Sequence, residues 1–477
     1  MNNVARSWIL PALPVLWLLA GCQHVSRPVL TAQSLSVGAA EVDITPPVGA
    51  RLAGYFNERL ATGTHDPLHA KALVIQQGAE KVALVSCDLV GFSLAVTTNA
   101  RAQASALTGI PVSNIVICAT HSHTGPLFEG PLRDYFHARA MEKNSHDPAE
   151  PVDYPTFLIE QLVKVIAAAQ ANVHPAQVQA GITTQPALAF NRRYWMKNGK
   201  VVFNPGQLNP DIVRPAGPTD LDVAILLARD EPTKQPFAGL TVFATHSDTI
   251  GGKLYSADYE YYLEQTLQAA FGKDYISAFG LGTCGDINHI DVSRKEPTTG
   301  QAVSERIGTT LGKAVLSAAP RLPVVTKPAL AVRSTTLQVP FQQPTPTQIA
   351  DAHAVMQRFS DTNTTFLALV AAVRTLDLAG LGATRPMEVQ VFRLDAETAI
   401  VCLPCEIFVE LGLAIKKASP FKRTVVIEIC NDRPSYVPTL KAFAEGSYEV
   451  TNARVKPGAG EMLVHAAVRL LGSLKSE

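Results

Sequence analysis

The sequence predicts a layered α/β (α+β) fold, with β-sheets covered by helices and an active site at the carboxyl ends of strands. Three observations predict it. Continuous apolar runs of strand length alternate with amphipathic segments of helix length. Hydrophobic residues make up 47% of the 477 and charged ones 17%, which suits a large interior. Five of the apolar runs end in a histidine, a carboxylate or a tyrosine.

The elements follow in order. The runs "KVALVSCDLVGFS" (81–93), "SNIVICAT" (113–120), "GLTVFATH" (239–246), "YISAFGLGTCGD" (275–286), "TAIVCLPCE" (398–406) and "TVVIEICND" (424–432) suit strands covered on both faces. Helical spacing occupies 155–170, 259–272, 300–319 and 408–418. Residues 345–378 predict a helical hairpin, placed as a core helix pair with a lid as the alternative. No internal repeat or linker interrupts the chain after Ser36, so 36–477 is expected to form one catalytic domain. The formal net charge is zero and no block of like charge occurs, so nothing calls for nucleic acid and none is expected as a partner.

The N-terminus reads as a targeting segment. Arg6 precedes an apolar stretch from Trp8 to Ala20, short for a membrane span and of signal-peptide length. The following "LAGC" resembles a bacterial lipobox. It implies a signal peptide over 1–21, a lipidated Cys22 anchored in a membrane, and a tether over 22–35. Gln23 after the cysteine points to an exported lipoprotein of the outer membrane. Cys22 is one of seven cysteines; the others lie in or after apolar runs, where a free thiol behaves as a small buried hydrophobe. "CLPC" at 402–405 has no second Cys pair to complete a zinc site, so neither redox chemistry nor structural zinc is expected of it.

The chemistry gathers at the run ends. "IVICAT" leads into His121 and His123, "LTVFAT" into His246, "AFGLGTC" into Asp286, Asn288 and His289, "AIVCLPC" into Glu406, and "VVIEIC" into Asp432 and Tyr436. A lone histidine is most often a satisfied buried side chain, and a lone Glu406 could cap the helix after it. Several such termini together predict one crevice. Residues i and i+2 of a strand share a face, so His121 and His123 both reach that crevice if the chain stays extended. Two or three histidines and a carboxylate with one open position form the donor set of catalytic zinc.

The ordered pieces resemble a family. "GAAEVDITPPVGARLAGY" (38–55), "THDPLHAKALVI" (64–75), "CDLVGFS" (87–93), "ATHSHTGP" (119–126), "FNRR" (190–193), "FATH" (243–246), "CGDIN" (284–288), "LPCE" (403–406), "NDRPSYVPT" (431–439) and "GSYE" (446–449) are similar to the neutral/alkaline non-lysosomal ceramidases. These are zinc amidases that hydrolyse the amide bond of ceramide. The resemblance implies Zn2+ held by His121, His246, Glu406 and Tyr436. It implies catalytic roles for His123 and Tyr448 at the oxyanion, for Arg192 at a head group or the tetrahedral intermediate, and for Asp286 in proton transfer. Asn288 stands where the family has a serine, which favours attack by water over a serine nucleophile. The residues "SDTI" after His246, Arg433 and Ser435 also depart from the family. The chain ends at 477 without room for the C-terminal immunoglobulin-like domain of the long ceramidases.

The expected function is therefore zinc-dependent hydrolysis of an N-acyl bond in a small-molecule or lipid substrate, with ceramide as the first candidate. A related zinc hydrolase acting on another amide or an ester, such as an N-acyl lipid or N-acylated sugar, is the enzymatic alternative. A ligand-binding surface lipoprotein without catalysis is the alternative of another class.

Overall fold

The computed structural model describes Met1 and residues 34–359, 361 and 363–476. The expected signal peptide, Cys22 and nearly all of the tether lie outside the described residues. Among those described, no helix is long and apolar enough to cross a membrane.

Two sheets stack face to face. The larger has eight strands in the order Ile276–Leu281, Pro236–Phe243, Asp222–Asp230, His174–Thr184, Ser36–Asp43, His69–Gln77, Glu80–Cys87 and Ile115–Ala119. Its two outermost pairs are parallel and the rest antiparallel. The smaller runs Pro328–Pro340, Thr384–Asp395, Thr398–Cys402 and Arg423–Ile427, with only the last pair parallel.

Side-chain alternation shows why the predicted runs are continuously apolar. Ile115, Ile117 and Ala119 pack beneath helices, while Val116 and Cys118 face the other sheet. In the smaller sheet, Ile400 and Cys402 face the larger one, and Ala399 and Val401 face helices. Helices thus cover one face of each sheet, and the remaining two faces bury each other, giving helix–sheet–sheet–helix layers. Helices Leu94–Thr108, Tyr154–Ala171, Tyr259–Phe271 and Gln301–Ala318 cover the large sheet. Val409–Ala418 and Ala459–Lys475 cover the small one. The hairpin forms as helices Pro346–Gln357 and Phe366–Ala379, the first started by a capping box between Thr345 and Gln348. It packs with helix Pro131–Asn144 in a small apolar cluster of its own around Met356 and Val373.

The carboxyl ends of the parallel pairs meet where the sheets join. Asn431 N–H donates to Ile117 O at 2.7 Å, Ala119 N–H to Ile429 O at 3.2 Å, and Glu428 N–H to Leu281 O at 2.8 Å. Strand ends from both sheets are thereby tied to one place.

Candidate metal centre

His121 and His123 follow the end of strand Ile115–Ala119, but the chain does not stay extended through them. His121 has φ 71°, a left-handed conformation that costs a non-glycine residue about 1 kcal/mol or more. The turn is held by His121 N–H to Leu89 O at 2.9 Å and His123 N–H to Ser247 O at 3.1 Å. The two rings still converge, with Nε2 atoms 3.3 Å apart. Gly54 makes room for the second: a Cβ there would lie 2.5 Å from the His123 side chain.

His246 comes from the loop after Pro236–Phe243 and Glu406 from the short pairing that places it opposite Tyr436. Glu406 Oε2 lies 3.3 Å from His121 Nε2 and 3.6 Å from His246 Nε2. The ring tautomers follow from the partners. His121 Nδ1–H donates to Val90 O at 2.7 Å and His246 Nδ1–H to Cys284 O at 3.0 Å. Carbonyls only accept, so each Nε2 is left with its lone pair on the side of Glu406 Oε2. His246 Nε2 and Glu406 Oε2 are buried without a hydrogen-bond partner. The Nε2-bearing residues His121, His123 and His246 offer nitrogen atoms within 4.8 Å of one another.

This donor set fits a divalent cation. Buried lone pairs left unpaired and pointing together are costly without one. The electrostatics agree. Burial alone would raise Glu406, yet it is held well below the ordinary carboxylate range by positive charge or a proton supplied from the His121 side first, then from His246 and the Arg433 guanidinium, the part a cation takes over when both imidazoles offer lone pairs. Burial keeps His246 and His123 well below the ordinary imidazole value, and therefore neutral.

Tyr436 and Tyr448 stand on the same side. Their rings meet edge to face, with centroids 5.7 Å apart. Burial, and then the Glu406 charge, push the Tyr436 phenol well above its usual range; Tyr448 is pushed up to about 12, chiefly by burial. Arg192 lies behind Tyr436. Its Nη2 donates to Tyr436 Oη at 3.2 Å and to Gly285 O at 2.8 Å, and its Nε donates to Glu449 Oε1 at 2.9 Å. Arg193 is spent on Glu449, Glu445 and Gly446 O, which separates the two adjacent arginines.

Asp286 is buried but is not a wall of the cleft that holds His121, His123, Glu406, Tyr436 and Tyr448. Its Oδ1 accepts from Val409 N–H at 2.9 Å, capping helix Val409–Ala418, and its Oδ2 accepts from Asn191 at 2.9 Å. Burial pushes it up to about 6. Asn288 donates to Asn204 Oδ1 at 3.0 Å, and His289 to Thr298 O at 2.6 Å, so both hold loops. Cys402 and Cys405 face opposite sides of the small sheet, in different apolar clusters, and all described cysteines are free and buried.

Two groups escaped the sequence reading. Glu129 lines the cleft, and burial pushes its carboxyl up to about 7. Asp248 lies 3.5 Å from His123 Nδ1 and accepts a hydrogen bond from Tyr55. The stretch "ATHSHTGP" (119–126) and the "SDTI" segment after His246 were the only signals near them.

The sequence profile of the N-terminal part of the neutral/alkaline non-lysosomal ceramidases matches residues 35–291, more than half of the chain. No curated protein matches the chain. Among solved structures, neutral ceramidase from Pseudomonas aeruginosa is similar, at 18% identity and a TM-score of 0.70, covering 93% of this chain and 75% of that one. A ceramidase complexed with C2 is similar at the same identity and TM-score, covering 93% and 76%. At that identity the structural likeness speaks for the fold, and the profile match speaks for the family. The chain belongs to the neutral/alkaline non-lysosomal ceramidases.

Proposed function

We propose that the chain is a zinc-dependent hydrolase of an N-acyl amide bond, ceramide being the substrate its family name points to. The observation that carries this is the convergence of His121 Nε2, His246 Nε2 and Glu406 Oε2, two of these atoms buried and unpartnered, beside Tyr436. In this reading His121, His246, Glu406 and Tyr436 hold the ion. Zinc held there supplies Lewis-acid polarisation of a carbonyl and acidifies water.

The chain's own groups do the rest. Val90 O and Cys284 O fix the imidazoles so that only Nε2 is offered inward. Arg192 steadies the Tyr436 phenol from behind and favours its ionised form. Neutral His123, with Asp248 at its Nδ1, accepts a proton from attacking water and returns it to the leaving nitrogen. Tyr448, still protonated at neutral pH, donates to the developing oxyanion, where one lost donor typically costs about 100- to 1000-fold in rate. Asp286 acts as a helix cap in this scheme, because both its oxygens are engaged away from the cleft. The catalytic unit is 36–477, and residues 1–21, Cys22 and the tether deliver it as an exported lipoprotein held at the outer membrane.

The test is metal analysis of the purified protein together with turnover of a panel of N-acyl amides, ceramides included. Stoichiometric zinc in the wild type, and loss of both zinc and turnover in His121→Ala, are expected. Turnover that survives His121→Ala unchanged refutes the site.

A further inference from the structure

Three of the residues proposed to hold the ion are steadied by one short segment, Cys284 and Gly285. Cys284 O accepts from His246 Nδ1–H at 3.0 Å. Gly285 O accepts from Arg192 Nη2 at 2.8 Å, and the same nitrogen donates to Tyr436 Oη at 3.2 Å. Gly285 N–H donates to Ile407 O at 2.8 Å, in the short strand that carries Glu406. The approach is close, since a Cβ at Gly285 would lie 2.8 Å from Glu406 O.

One carboxyl closes this arrangement from behind. Glu428 follows strand Arg423–Ile427, is fully buried, and is not a wall of the cleft. Its Oε1 accepts from the Cys284 thiol at 3.2 Å and its Oε2 from Ile407 N–H at 2.5 Å. Its own N–H is tied to Leu281 O at 2.8 Å, at the end of the facing strand. The side chain therefore bridges the residue whose carbonyl aims His246 and the residue next to Glu406. An acid between the buried Ile427 and Ile429 is costly unless its oxygens are engaged, and these two donors engage both. Burial pushes the carboxyl well above its ordinary range, and its partners are a thiol and an amide, so it works through hydrogen bonds and not through charge.

We propose that Glu428 is a positioning residue of the metal centre: its carboxyl holds the backbones behind His246 and Glu406 at one spacing, and so sets how tightly and in what geometry an ion is held. This rests on the zinc reading above.

Two measurements on the full protein read the centre without turnover. One is zinc affinity by competition with a chromophoric chelator, and the other is the visible spectrum after Co2+ replaces zinc. Glu428→Met is expected to lose about 10- to 100-fold in zinc affinity and to shift the Co2+ bands. Glu428→Gln keeps an acceptor for Ile407 N–H and a donor towards the Cys284 sulfur, and should recover most of that loss. Urea midpoints are measured alongside. If Glu428→Met lowers the midpoint but leaves zinc affinity and Co2+ spectrum as in the wild type, the carboxyl is only a brace and the proposal is overturned. Glu428→Gln as weak as Glu428→Met also overturns it, because the effect would then be charge and not position. Should Glu428→Met fail to fold, Cys284→Ala removes one end of the bridge and keeps the carbonyl for His246. A loss of about 2- to 10-fold in zinc affinity is expected there, and an unchanged affinity overturns the proposal. A wild type that binds neither Zn2+ nor Co2+ overturns the metal reading and this inference with it. Zinc held tightly by the wild type and equally by every variant overturns this inference alone.

Discussion

Replacing Asp286 by Asn removes a carboxyl that burial pushes from 3.8 up to about 6. Such an acid binds its proton more tightly folded than unfolded. Its contribution to stability is fully present below 3.8 and is lost as the pH rises through about 6. The loss corresponds to roughly 2 pK units, or about 3 kcal/mol. Asn keeps an acceptor for Val409 N–H but opposes the Asn191 amide donor. That mispairing costs about 1 kcal/mol at every pH and leaves the slope untouched. Urea midpoints of wild type and Asp286→Asn at about pH 4, 5.5 and 7 give the difference directly. The variant should gain about 3 kcal/mol on the wild type across that range, with amide turnover kept within about tenfold. A difference that stays flat with pH, together with a fall in turnover of about 100-fold or more, would mean that Asp286 is the proton-transfer group and not a cap.

Other outcomes follow from the same contacts. Gly54→Ala drives a Cβ into the His123 side chain at a backbone φ of 95°, so it should cost about 1–3 kcal/mol and reduce turnover; unchanged activity would detach His123 from the chemistry. Arg192→Met removes one of the two arginines on the fully buried Glu449 and should lower stability by about 3–5 kcal/mol in chemical denaturation. A zinc chelator should lower the thermal midpoint of the wild type, about 2.7 kcal/mol being at stake when free zinc stands at about 100 times its Kd. The chelator should leave His246→Ala unmoved, and an equal effect on both proteins would place the ion elsewhere. Thiol reagent should find no reactive group among the six described cysteines until the fold is denatured, since each is buried.

The layered fold was legible because both faces of each parallel edge pair are buried, so those strands read as unbroken apolar runs. The antiparallel strand Pro328–Pro340 gave no such signal. Its burial alternates from Ser334 onward and its exposed face is polar, with Ser334, Thr336 and Gln338 outside. That the second face of each sheet packs on the other sheet, not on a helix, is a property of pairing across more than a hundred residues and leaves no local trace. At the site, residue types and strand ends pointed to His121, His246 and Glu406. Spacing alone did not reach Tyr436; the family resemblance did. The i, i+2 argument for His121 and His123 brought the right residues together for the wrong reason, since a left-handed His121 replaces the extended chain. Glu129 and Asp248 were not legible, because each reaches the cleft from a loop whose path is set by tertiary contacts.

The four residues proposed to hold the ion come from segments near 121, 246, 406 and 436, the first two on the large sheet and the last two beside the small one. An ion held by all four, as proposed above, would act as a fastener between layers. Cutting the chain anywhere between His289 and Cys402 divides the donors two and two, and neither piece retains enough of them to hold zinc tightly. Recovery of tight zinc binding on mixing the pieces then reports one event, the docking of sheet on sheet.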